Sequence, residues 1–99
     1  MRTLLAATAA GSVAVEQWLA SPVTHVRDAR SELLLKLVLT ERSGRDLRPL
    51  AAAQHGVLEQ LAERLTEQLE EADGVRALVL RFRLAQTIAA RDYVAELLA

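Results

Sequence analysis

The chain has 99 residues, with 12 lysines and arginines against 13 aspartates and glutamates and no cysteine. That length fits one domain at most, and the balanced charge offers no concentrated positive face for unassisted nucleic-acid binding. The missing cysteines exclude disulfides and thiolate metal sites. Leu, Ala and Val supply most of a 52% apolar fraction, with one Trp, one Tyr, one Phe, four Gly and two Pro. Good helix formers dominate and turn residues are scarce, so the expected class is all-α. A chain this short has little interior for so much apolar surface, which points to a partner covering part of it.

The opening Met1-Arg2-Thr3-Leu4-Leu5-Ala6-Ala7 is superficially like a signal peptide. Glu16 follows a short apolar run with no separate small-residue cleavage site, so a cytoplasmic location is expected. Thr8 or Ser12 is suited to cap a first helix, expected over Val13 to Ala20 with Val15, Trp18 and Leu19 on one face. Ser21-Pro22 ends it, since proline disfavours a helical residue before it.

A second helix is expected from near Asp28 to Arg42. Its centre, Leu33-Leu34-Leu35-Lys36-Leu37-Val38-Leu39, is apolar in nearly every direction, as in a helix buried on all sides. Gly44 supplies a left-handed stop. Asp46 then caps a third helix, with Pro49 tolerated in its first turn. It is expected to reach about Ala72, roughly 27 residues or ~40 Å. Its apolar line is Leu50, Val57, Leu58, Leu61, Leu65, Leu69 and Ala72, opposite a polar stripe of Glu59, Glu63, Glu67, Glu70 and Glu71. Asp73-Gly74 reverses the chain into a fourth helix, Val75 to about Leu98, whose main seam reads Leu78, Phe82, Ala85, Ile88, Ala89, Tyr93 and Leu97. So short a turn makes the last two helices a long antiparallel hairpin, with Glu67 near Arg81 and Glu71 near Arg76. Val75, Val79, Leu80 and Leu84 lie off that seam, and one hairpin does not bury both sides of the fourth helix.

No catalytic, metal or cofactor site is expected. His25 and His55 are separated by a whole helix, and neither a His-x-x-Glu nor a Glu-x-x-His spacing occurs. The glutamates of the third helix have the spacing of a solvated face, and no nucleophile lies beside them. Gly44 and Gly74 are isolated turn residues, not a phosphate-binding loop. Arg42, Arg45 and Arg48 cluster around the loop between helices two and three, suited either to a phosphate or partner contact or to the C-terminal dipole of helix two. The candidates that remain are apolar. Leu58, Leu61, Leu65, Leu69, Leu78, Phe82, Ile88 and Tyr93 are expected to form the dimer interface or the hairpin core. The pattern leaves open which of the two each residue serves. Trp18, the only tryptophan, is the candidate for a ligand pocket, against the plainer reading of core packing.

Thr8-x-x-Gly11, then Trp18-Leu19, then Ser21-Pro22 resembles the exit from the wing in PadR-family transcriptional regulators. Arg30-Ser31-Glu32-Leu33-Leu34-Leu35-Lys36-Leu37 looks like that family's Arg-x-Glu-x-Leu-Leu-Lys-Leu segment. The helix with Gln54, Leu58, Leu61 and Leu65, and the last helix through Arg91-Asp92-Tyr93, stand in family order. The resemblance covers nearly the whole chain, through short motifs whose joint spacing carries it. It implies a C-terminal helical dimerisation domain over residues 8–99, with residues 1–7 a remnant of the last wing strand. Family members read DNA with a winged helix-turn-helix that precedes this region, so no direct DNA binding is expected of these residues alone. Some relatives hold planar aromatic molecules at the dimer interface with a tryptophan on the last helix, where this chain has Tyr93. The expected partner is a second copy in a two-fold dimer. The alternatives are a free-standing interaction protein that heterodimerises with a related regulator, and a domain sensing a small-molecule effector. No membrane association is expected.

Overall fold

The structure, a computed structural model, describes residues 8–23 and 29–99. Among those residues are four α-helices and no strand, as the composition implies. The expected wing-strand remnant at residues 1–7, the site of His25 and the start of helix two near Asp28 lie outside the described residues.

Helix α1 runs Thr8–Ala20, one turn longer than expected, so Ser12 lies inside it and does not cap it. Ala9 and Ala10 are strong helix formers and carry the helix back through Gly11. At its end the Ser21 hydroxyl donates to the Gln17 carbonyl at 2.7 Å, and the Ser21 N–H reaches the Trp18 carbonyl at 3.2 Å. Pro22 follows and prevents continuation.

A π-helical turn, Ala29–Leu33, leads directly into α2, Leu34–Arg42. The expectation of a helix buried on all sides does not hold. Leu33, Lys36, Leu37 and Thr40 are buried, whereas Leu34, Leu35, Val38 and Leu39 are exposed. The inward positions follow the three-to-four-residue spacing of one helix face, and no described element covers the other face. Gly44 (φ 76°) closes α2 as anticipated: the Gly44 N–H donates to Glu41 and the Arg45 N–H to the Thr40 carbonyl, both at 3.1 Å. Those two bonds satisfy carbonyls that the helix end would otherwise leave unpaired.

Helices α3, Arg48–Glu70, and α4, Gly74–Glu96, each have 23 residues and pack closely as the hairpin. The N-cap of α3 is Leu47, not Asp46 as expected; Asp46 precedes it and accepts the Arg48 N–H at 3.0 Å. Gly74 (φ 60°) makes the reversal. The ion pair across the hairpin joins Arg91 to Glu59 at 3.2 Å, in place of the expected Glu67–Arg81 and Glu71–Arg76 pairs. Long surface side chains settle between neighbouring partners at little energetic difference, so periodicity alone does not select the pair.

The core is eccentric. Val23, Leu33, Leu37, Leu50, Ala51, Leu58 and Val94 form one cluster, with Leu47, Leu61, Ala90 and Leu97 packed against it. Its members come from the first half of α3 and the last turns of α4, where α2 and the exit from α1 cover the hairpin. Beyond Leu61 that cluster draws no residue from the half of the hairpin nearest the turn. The molecule therefore measures 56 × 30 × 16 Å, and its radius of gyration, 16.6 Å, exceeds the ~13 Å of a compact domain of this length.

Candidate functional site

Two polar side chains organise the covered end. Gln54 is fully buried on α3, and its amide pairs with both backbone polar groups of Val23. Oε1 accepts the Val23 N–H at 2.6 Å and Nε2 donates to the Val23 carbonyl at 2.8 Å. The segment leaving α1 is thereby fastened to α3, with its backbone polar groups satisfied away from water. Lys36, the chain's only lysine, is 2% exposed within the leucine run of α2. Its ammonium donates to the Ser21 carbonyl at 2.6 Å, lies 3.6 Å from Glu32 Oε2 and stands 4.8 Å from the centre of the Trp18 ring. A cation on an indole face beside a helix C-terminus is held by the ring quadrupole and by the helix dipole. All three partners belong to α1, its exit or the preceding turn, so Lys36 is a structural clasp for α1.

Trp18 is thus placed by Lys36 and remains 38% exposed. It lines neither of two open clefts. One, of about 240 Å³, lies among Glu16, Leu19, Thr40, Arg45 and Leu50; the other, of about 420 Å³, lies in the hairpin among Glu59, Glu63, Leu84, Ile88 and Arg91. Of the arginine cluster, Arg45 pairs with Glu16 of α1 at 3.0 Å, tying the loop after α2 to that helix, and Arg48 pairs locally with Asp46 at 3.3 Å. The Asp46 carboxyl is held below its ordinary value by the hydrogen bond from the Arg48 backbone, with the Arg48 side chain adding to the effect. Among the described residues no group of three or more His, Asp or Glu is placed to hold a metal. No described helix is long and apolar enough to cross a membrane.

The structure divides the eight apolar candidates. Leu58 is in the core, Leu61 packs against it, and Leu65, Leu69 and Ile88 are half-buried along the hairpin. Leu78, Phe82 and Tyr93 face outward, Leu78 and Phe82 being about two-thirds exposed. The buried residues of α4 are instead Ala77, Leu80, Thr87 and Val94. The line read as the main seam of the fourth helix is therefore chiefly its outer face, and Leu80, read as off-seam, closes the hairpin. Val75 and Val79 join Leu78 and Phe82 outside. With Leu34, Leu35, Val38 and Leu39 on α2, they make two apolar helix faces that no described residue covers.

A compact 10.8 kDa monomer exposes about 5,500 Å². This chain exposes 6844 Å². The difference, about 1,300 Å² of polar and apolar surface together, goes with the elongated shape.

No family model, curated protein or solved structure matches the chain.

Proposed function

We propose that the chain is a helical dimerisation domain that pairs with a second copy of itself, serving a cytoplasmic transcriptional regulator of the PadR type. The observation that carries this reading is the pair of exposed apolar helix faces, Leu34, Leu35, Val38 and Leu39 on α2 and Val75, Leu78, Val79 and Phe82 on α4, of an elongated molecule. Isolated apolar side chains at a surface are ordinary, whereas contiguous rows at helical spacing mark interaction sites. Burying them in a two-fold assembly supplies the interior that a single eccentric core lacks. The PadR resemblance supports the same role, because the helices that carry its motifs would pair two DNA readers. Self-association sets the spacing of those readers, and hence of the half-sites they occupy.

A fusion tests the role. The chain is joined to the C-terminus of a helix-turn-helix reader whose operator binding requires dimerisation. Operator occupancy restored by the fusion, and lost when Leu78 and Phe82 are both replaced by glutamate, is the expected result. A fusion that binds its operator no better than the isolated reader would overturn the proposal.

A further inference from the structure

Resting on the self-pairing reading, we infer that two copies meet along the outer face of α4, antiparallel, with the two-fold axis passing between Phe82 and Ala85. Val75, Leu78, Phe82, Ala85 and Ala89 are all exposed and recur at alternating steps of three and four residues. That repeat is the seam along which two helices wind together. Tyr93 continues the same side of α4, giving a row of about 27 Å at 1.5 Å per residue.

The direction follows from the order of sizes along the row. Bulk is concentrated in the first half, at Val75, Leu78 and Phe82, and the next two positions are the alanines 85 and 89. Interiors fill evenly when large side chains oppose small ones. An antiparallel pair with the stated axis sets Leu78 against the partner's Ala89 and Phe82 against the partner's Ala85, in both halves by symmetry. A parallel pair instead stacks Phe82 on its own copy and leaves facing alanines with a gap between them.

Charge agrees with size. Arg76, Arg81 and Arg83 lie in the first half of α4; its last turns carry Asp92 and Glu96 together with Arg91, which pairs with Asp92 at 3.3 Å and with Glu59 at 3.2 Å. The antiparallel arrangement brings Asp92 level with Val75 of the partner subunit, beside the positive end of that helix. A parallel one sets like charges and like helix ends together.

The missing cysteines make the register directly readable, because an introduced thiol is the only one present. Leu78→Cys and Ala89→Cys are purified separately, mixed in equal amounts and oxidised, with light scattering on the reduced samples. A disulfide needs Cβ atoms about 4 Å apart. The expected result is a mixed disulfide joining the two variants. Neither variant should link to itself, since equivalent positions then lie roughly 16 Å apart along the axis. Self-linked variants would overturn the antiparallel register. A dimer by light scattering that forms no disulfide in any sample would overturn the α4 seam and leave self-pairing standing. A monomer for the unsubstituted chain would overturn both.

A size exchange supplies a check without thiols. Leu78→Ala should weaken pairing about tenfold or more. Adding Ala89→Leu to it should restore most of the loss, since the large and small positions are exchanged across the same contact. A double variant weaker than Leu78→Ala would overturn the register.

Discussion

Gln54→Ala removes the partners of the Val23 N–H and the Val23 carbonyl at once. Val23 is 3% exposed and Gln54 is fully buried, so water does not replace the lost amide without opening the structure. Each buried polar group left unsatisfied costs about 1–3 kcal/mol, so two together cost roughly 2–6 kcal/mol. A domain of this size holds about 5–15 kcal/mol in all, and the loss corresponds to a fall of roughly 10 °C or more in Tm. Thermal melts followed by far-UV circular dichroism, at one fixed chain concentration, measure it. Trp18 emission should change before the global transition, because Val23 lies at the exit from α1 and the clasp on that helix loosens first. Gln54→Glu sharpens the reasoning. A carboxylate accepts the Val23 N–H but has no hydrogen to offer the Val23 carbonyl, whereas the protonated carboxyl does both. Burial favours the neutral acid in the folded state, so Gln54→Glu should be most stable at low pH and lose stability as pH rises. A Gln54→Ala variant within about 0.5 kcal/mol of the parent, the usual range for a surface substitution, would refute the reasoning.

Leu58→Ala empties a core position and should cost about 2–5 kcal/mol in urea unfolding, whereas Leu78→Ala should leave the isolated monomer within about 0.5 kcal/mol of the parent and act on pairing instead. Equal effects of the two on a dilute monomer would contradict the assignment of inner and outer faces. Lys36→Ala should destabilise by about 1–3 kcal/mol and change Trp18 emission, because the ring loses its ammonium and the Ser21 carbonyl its donor. Unchanged fluorescence would contradict the clasp. Asp46 accepts the Arg48 N–H as a carboxylate, and its folded value is depressed. That contribution is present above the ordinary carboxylate range and is lost as pH falls through the lowered value. Asp46→Asn should keep the bond to the Arg48 N–H and remove its pH dependence, while Asp46→Ala should speed amide exchange at Arg48; equal exchange in both variants and the parent would refute the bond.

The helices and their stops were legible from local chemistry. Gly44 and Gly74 occupy the left-handed positions where a side chain is disfavoured, and leucine spacing on α3 marks the face that Leu58 and Leu61 bury. The site was harder to read, for a physical reason. Helix α4 is apolar on two sides, and only the way α3 lies against it decides that Leu80 goes in while Leu78 and Phe82 stay out. Lys36 inverts the usual signal. A lone cation in a leucine run reads as the solvent side, yet its amine meets the Ser21 carbonyl and the Trp18 ring, and the neighbouring leucines 34 and 35 are turned outward. Gln54 likewise needs the exit of α1 beside it before its amide has anything to grip. Each of these depends on which segment packs against the helix, a relation that periodicity within the helix does not contain.

Light scattering of the unsubstituted chain at micromolar concentration tests self-pairing most directly. A mass of about twice the 10.8 kDa chain, reduced toward that single-chain mass by replacing Leu78 and Phe82 with glutamate, is the result expected. A stable monomer at that concentration, with all of its apolar helix faces left in water, would contradict it.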